Sequence, residues 1–159
     1  MTRLFSGEKV AKNTPRVEMI GEIDELSSLL GVAKCHAARK SSKKNIAMLQ
    51  QTLFLIAAEL ATSKKKSVYS KKRLNQKMLR DLEKRCEILE AKLSLPKKFI
   101  FSGGNLASAH LDYARSVARR CERKVVELFK KKMGINRLML IWFNRLSDFL
   151  FLLACSEKC

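Results

Sequence analysis

Helix breakers are scarce in this chain, with 2 prolines and 6 glycines among 159 residues. That scarcity excludes a turn-rich sandwich and a Pro/Gly-rich disordered chain. No P-loop, G-x-G-x-x-G or H-E-x-x-H motif occurs, which removes the familiar nucleotide-binding and zinc-hydrolase signatures. The five cysteines, Cys35, Cys86, Cys121, Cys155 and Cys159, are odd in number and contain no C-x-x-C pair. They therefore read mostly as small buried hydrophobes rather than as a disulfide framework. Cys155 and Cys159 with His36 and His110 match no zinc-ligand spacing. Long apolar runs are missing too. Leu138 to Phe143 and Phe149 to Cys155 are short and flank polar Asn144, Arg145 and Asp148, so no membrane span is expected. The N-terminus has neither the apolar centre of a signal peptide nor the Arg/Ser-rich pattern of a transit peptide. A soluble, cytoplasmic protein is the expectation.

Negative charge is also sparse: 15 Asp+Glu face 33 Lys+Arg, for a net charge of +18. Such a field attracts anions, including nucleotides, nucleic acid and acidic membrane surfaces. Much of the charge lies in clusters (Lys43-Lys44, Lys64 to Lys66, Lys71 to Arg73, Lys97-Lys98, Lys130 to Lys132) between the apolar-periodic segments. Aromatics do not alternate with these lysines as they would on a base-stacking platform, so the clusters read as solvated loops and helix ends. Nucleic acid is the disfavoured partner.

What is present is helical periodicity in five blocks. Ile23, Leu26, Leu30 and Ala33 mark the first; Ile46, Leu49, Leu53, Ile56 and Leu60 mark the second, at intervals of 3, 4, 3 and 4. Leu74, Met78, Leu82, Leu89 and Leu93 mark the third, ended by Pro96. Leu106, Tyr113, Val117, Val125 and Leu128 mark the fourth, and Leu138 to Leu153 the fifth. An all-α, five-helix antiparallel bundle filling a single domain, residues 1–159, is the simplest packing. Met1 to Glu18 and Leu95 to Gly104 read as irregular segments at its ends, where sites are commonly built.

The segment Arg115-Ser-Val-Ala-Arg-Arg-Cys-Glu-Arg-Lys124 concentrates charge on the fourth helix. Arg115, Arg119 and Glu122 fall at i, i+4 and i+7 and share a face. Guanidinium groups bind phosphate oxygens bidentately and stay charged, so the ladder suits a polyphosphate; a solvated face with i,i+4 ion pairs explains it equally well. Asp24-Glu25, read as lying at the start of the first helix, complements the helix dipole and offers a partner for an arginine on another helix or subunit. Phe99-Ile-Phe-Ser-Gly-Gly104 puts aromatics before a glycine pair and a helix start with Asn105 as N-cap, either a close-approach site or a loop anchored by buried Phe. Asn144, Arg145 and Asp148 are polar islands in the last helix and need partners, structural or ligand.

Taken together, Phe5-Ser-Gly-Glu-Lys-Val-Ala-Lys12, Pro15-Arg-Val-Glu18, Gly21-Glu-Ile-Asp-Glu-Leu-Ser-Ser28, Glu59-Leu-Ala-Thr62, Phe99 to Gly104, Ala114 to Arg123 and Asn144-Arg-Leu-Ser-Asp-Phe-Leu-Phe151 carry a family likeness. In order and spacing the chain resembles the PduO-type ATP:cob(I)alamin adenosyltransferases over nearly its whole length. The resemblance implies a five-helix bundle in a homotrimer, with active sites between subunits. It implies ATP and cob(I)alamin as substrates, with Mg2+ accompanying ATP and held by no protein side chain. Cobalt(I) attacks the 5′ carbon of ATP and triphosphate leaves.

Residue by residue, the likeness places Arg119 and Glu122 in the catalytic site, with Arg119, Asn144 and Lys12 at the nucleotide. Arg115 is assigned to a salt bridge with Asp24 across the interface, and Phe99 to the aromatic that displaces the corrin's lower ligand. A corrinoid reductase and an adenosylcobalamin-dependent enzyme are the implied partners. Members usually begin with T-x-T-G-D-x-G-x-T, which wraps the phosphates; this sequence starts just after it and lacks most of that loop. Phe101-Ser102 stands where Leu-Pro is common, and Asp112 where histidine is frequent. A noncatalytic corrinoid- or nucleotide-binding relative is the alternative.

Overall fold

The computed structural model describes residues 1–3, 7, 9–62 and 73–158. Two short strands, β1 (Thr2–Arg3) and β2 (Lys9–Val10), form an antiparallel ladder with Thr2 opposite Val10. Among the described residues five helices follow: α1 (Pro15–His36), α2 (Lys40–Leu60), α3 (Gln76–Lys92), α4 (Leu106–Lys130) and α5 (Leu138–Lys158). The main packings are α4 on α5, α1 on α4, α1 on α2 and α3 on α5. Side-chain pairs run in opposite directions along α1 and α4 (Glu18 with Lys124, Glu22 with Arg120) and along α4 and α5 (Asp112 with Lys158, Glu122 with Asn144), as in an antiparallel bundle.

The apolar stripes of α1 and α2 enter the core as their spacing predicts: Ile23, Leu26, Leu30 and Ala33 from α1, and Ile46, Leu49, Leu53, Ile56 and Leu60 from α2, are all buried. The start of α1 differs from expectation. Thr14 caps the helix, its hydroxyl oxygen accepting from Val17 N, and Pro15 takes the first helical turn, where a missing N–H costs nothing. Glu18 is thus the first-turn acid, and Asp24-Glu25 lie well inside the helix rather than at its start.

Helix α4 also corrects the sequence reading. Leu106 and Tyr113 are exposed, whereas Ala107, Leu111, Ala114, Ala118, Cys121, Val125 and Leu128 are buried. Those positions step by 4, 3, 4, 3, 4 and 3, an unbroken seam made largely of small side chains that lets α1 and α5 approach. Asn105 caps α4 as expected, its carbonyl accepting from Ser108 N at 2.8 Å while Ser108 Oγ accepts from Asn105 N at 3.1 Å.

The two apolar runs near the C-terminus lie on one continuous helix, α5, which by length and composition is apolar enough to cross a membrane. Packing accounts for its hydropathy. Trp142, Phe143, Leu146, Phe149 and Leu150 are buried in the bundle, and Asn144, Arg145 and Asp148 form one exposed strip rather than interior islands. The cysteines divide: Cys121 and Cys155 are buried, Cys86 is half-buried and Cys35 is exposed. Burial pushes the Cys121 thiol up to about 12 and the Cys86 thiol up to about 11.

Candidate functional site

Helix α4 sorts its cations by face. Arg120 and Lys124 turn toward α1: Arg120 Nε donates to Glu22 and Nη2 to Glu25, and Lys124 Nζ donates to Glu18 Oε2 at 2.9 Å. The hydrogen bonds to Glu22, then Glu25, hold the Arg120 guanidinium above its usual pKa, and the Glu18 bond does the same for Lys124. Arg120 was left without a role by the sequence motifs. The signal was nevertheless present, because Glu18, Glu22 and Glu25 form an acidic i, i+4, i+7 stripe on α1 that complements Arg120 and Lys124 on α4.

The opposite face of α4 carries Arg115 and Arg119. With Arg145 and Asp148 of α5 they line a cavity of about 370 Å³, bordered also by Cys86 of α3 and by Leu95 in the connection that follows it. Arg115 lies over the ring of Phe151, 5.5 Å from its centroid. Arg145 meets Asp148 at 3.3 Å and Glu83 at 3.9 Å. Arg119 is exposed and forms no ion pair among the described residues. Its planar donor set is therefore available to an anion, while Arg120, one residue on, has both carboxylate partners it needs.

One turn further along, Glu122 Oε1 accepts from Asn144 Nδ2 at 3.0 Å. The bond joins α4 to α5 and leaves the Asn144 side-chain oxygen, Oδ1, without a donor among the described residues, while the backbone carbonyl accepts from Ser147 Oγ at 2.9 Å. Glu122 lies three residues from Arg119 on α4, so the Glu122–Asn144 bond and Arg119 fall on neighbouring positions of that helix. Asp24 is exposed on α1 and makes no ion pair with Arg115 or any other cation among the described residues. Lys12 is exposed in the turn before α1 and bonds to none of these groups. Phe5 and its neighbours Leu4, Ser6 and Glu8 lie outside the described residues, as do Ser63 to Lys72 and Cys159.

The Phe99 segment forms a second centre, at the N-terminal end of α4. From Leu106 to Arg119 the helix advances about 20 Å. Of the two readings of this segment, anchoring by buried phenylalanines does not occur: Phe99 and Phe101 are each 80% exposed, packed edge to face with centroids 5.1 Å apart. The backbone is what is held. Gly103 N donates to Asp112 Oδ2 at 3.2 Å, Gly103 O accepts from Ser108 Oγ at 2.9 Å, and Phe101 O accepts from Lys158 Nζ at 2.9 Å. An apolar pair displayed on a fixed backbone, about half the length of α4 from an arginine with no ion pair among the described residues, makes a surface with one hydrophobic and one anion-seeking pole.

The chain is similar along nearly its whole length to known proteins. A profile of the family described as Cobalamin adenosyltransferase matches residues 1–157. The chain is 34% identical over 156 residues to the corrinoid adenosyltransferase PduO of Salmonella typhimurium, covering 98% of this chain and 46% of that protein. It is 34% identical over 157 residues to a corrinoid adenosyltransferase of Citrobacter freundii, covering 99% of this chain and 89% of that one. It therefore spans about half the length of the PduO relatives and most of the shorter ones. A solved variant of the PduO-type ATP:corrinoid adenosyltransferase from Lactobacillus reuteri, complexed with cobalamin and ATP, superposes with a TM-score of 0.87 at 31% identity, over 99% of this chain and 87% of that chain. A second variant of that enzyme, complexed with ATP, gives a TM-score of 0.83 at 32% identity, over 99% and 88%. With five helices in the same arrangement and a matching profile along nearly its full length, the chain belongs to the cobalamin adenosyltransferase family.

Proposed function

We propose that the chain transfers the 5′-deoxyadenosyl group of ATP to the cobalt of cob(I)alamin, forming adenosylcobalamin and triphosphate. The cobalt(I) electron pair forms the bond to C5′ as the C5′–O bond breaks, and the triphosphate leaves with that bond's electrons. The observation that carries the reading is the unpaired Arg119 guanidinium beside the Glu122–Asn144 bond, on a fold shared with enzymes that bind both substrates.

Arg119 stabilises the charge that develops on the leaving triphosphate. The Glu122 carboxylate orients the Asn144 amide so that its carbonyl oxygen receives the nucleotide, and Lys12 supplies a further cation near it. Phe99 offers an apolar ring beneath the corrin, leaving cobalt without a donor on that side. Mg2+ is assigned to ATP, whose phosphate oxygens are the hard ligands it prefers. A homotrimer with Arg115 paired to Asp24 across each interface completes the site, in a single domain spanning residues 1–159. The cytoplasm is the assigned compartment, with a corrinoid reductase upstream and an adenosylcobalamin-dependent enzyme downstream.

The test is adenosylcobalamin formation, followed by absorbance, from reduced cobalamin, ATP and Mg2+. Turnover by the wild-type chain, with a loss of about 100-fold or more in Arg119→Ala, is expected. Binding of ATP and cobalamin by calorimetry without any product would instead establish a noncatalytic relative.

A further inference from the structure

The C-terminal end of α5 reaches the Phe99 segment through a single side chain. Lys158 Nζ donates to Phe101 O at 2.9 Å and to Asp112 Oδ2 at 3.2 Å, and the same Asp112 oxygen accepts from Gly103 N at 3.2 Å. Lysine, aspartate and two backbone groups of the loop thus close one network. Asp112 is 7% exposed on α4. A carboxylate that deep needs both a cation and N–H donors, and Lys158 and Gly103 provide them.

Gly104 makes room for the connection. A Cβ there would stand 3.2 Å from Lys158 Cγ and 3.6 Å from Cδ, so the lysine stem passes directly over the glycine. Gly103 and Gly104 both have positive φ, 101° and 114°, which turns the chain sharply between Phe101 and the α4 cap. The neighbouring residue of α5 reinforces the end. Glu157 O accepts from Asn105 Nδ2 at 2.6 Å, while the Glu157 carboxylate accepts from Ala38 N at 2.9 Å and from the Ser42 hydroxyl. The last turn of α5 is therefore anchored on both sides.

The purpose of such a tether follows from what it holds. Phe99 and Phe101 are displayed to solvent, where an untethered loop would fold its rings onto the nearest apolar surface. We propose that Lys158 and Asp112 are positioning residues for corrinoid binding, fixing the backbone of residues 99–104 so that the Phe99 ring is presented to the corrin before it arrives. This rests on the adenosyltransferase reading above. It adds two residues to the site, one from the C-terminal turn of the bundle, neither of which touches the substrate. A preordered loop spares the ordering cost on binding, so its loss falls on corrinoid affinity and not on ATP, whose residues on α4 and α5 lie about two to four turns away.

The experiment compares wild type, Lys158→Met, Lys158→Arg and, as a control, Lys131→Met, which removes an exposed pair with Glu127 at the far end of α4. Two quantities are read: amide hydrogen exchange of the peptide spanning 95–105, and the KM values for cobalamin and ATP separately. Lys158→Met is expected to speed exchange in that peptide and to raise KM for cobalamin about tenfold, with KM for ATP within about twofold. Lys158→Arg, which keeps charge and donors, restores both quantities at least in part, and Lys131→Met changes neither. Unchanged exchange in 95–105, an unchanged KM for cobalamin, or equal rises in both KM values would overturn the tether while leaving the enzyme assignment intact. An inactive wild-type protein would overturn the assignment itself, and the corrinoid role of the tether with it.

Discussion

Adjacent arginines on α4 differ by what faces them. Arg120 sits between Glu22 and Glu25, whereas Arg119 has no acidic partner among the described residues. The two should fail in different ways when truncated. Arg120→Ala removes exposed ion pairs, worth up to about 1 kcal/mol after solvent screening, and should lower Tm by roughly 2–4 °C with KM for ATP unchanged. Arg119→Ala should leave Tm nearly unchanged and cut kcat/KM by about 100-fold or more. Parallel melting curves and steady-state kinetics separate the cases; the reverse pattern would mean that the roles of the two residues had been exchanged. The motif alone singled out Arg119, Glu122 and Asn144, and the structure brings Glu122 and Asn144 into direct contact. It could not assign Arg120, because the partners of that residue lie 98 and 95 positions away and become visible only when α1 and α4 are set antiparallel.

At the level of elements, legibility followed side-chain size. The apolar seam of α2 is legible because it is built of Ile and Leu, large residues whose burial dominates their energetics, whereas buried Ser42 and Thr52 carry no such signal. Helix α4 was misread at Leu106 and Tyr113 because its true seam uses alanine and cysteine, which contribute close approach rather than bulk. The start of α1 was misplaced for a third reason, since Pro15 reads as a breaker although the first helical turn tolerates it.

Elements are also joined by groups whose burial no periodicity announces. Glu59 at the end of α2 accepts from Leu74 N at 3.1 Å, tying α2 to the segment before α3. Burial raises its pKa above 4.5, against smaller opposing effects of the Leu74 bond, Arg73 and Asn136. The folded chain therefore binds this proton more tightly than the unfolded chain does. The stabilising contribution is full below the unfolded value and is lost as the pH rises through the folded one. Glu59→Gln retains an acceptor for Leu74 and removes the titration. Its Tm should exceed that of wild type at pH 7 by less than about 2 °C, with the difference vanishing near pH 4. A variant less stable at pH 7 than at pH 4, relative to wild type, would contradict that sign.

For the whole molecule, charge and assembly become one question. A chain of net charge +18 repels its own copies, so a trimer needs specific attraction at its contacts. Asp24 and Arg115 are suited to supply it. Asp24 is exposed and unpaired on α1; Arg115, half-buried over Phe151, likewise has no carboxylate among the described residues, although it lines the cavity that also holds Arg119. Among the described residues of one chain the pair is not made, and the proposed trimer offers each residue its partner from a second chain. If the proposed trimer forms through this pair, Asp24→Arg should place two cations in the contact and shift sedimentation from a three-chain to a one-chain species, with activity falling in step. Arg115→Asp should do the same through two anions, at the additional loss of the contact with Phe151. The double variant Asp24→Arg, Arg115→Asp restores opposite charges with their owners exchanged. It should recover the three-chain species while regaining only part of the activity, since an aspartate beside Arg119 weakens the hold on triphosphate. Reassociation without full activity distinguishes a charge pair that builds the interface from one that merely borders it: if the double variant sediments as a single chain, Asp24 and Arg115 do not meet.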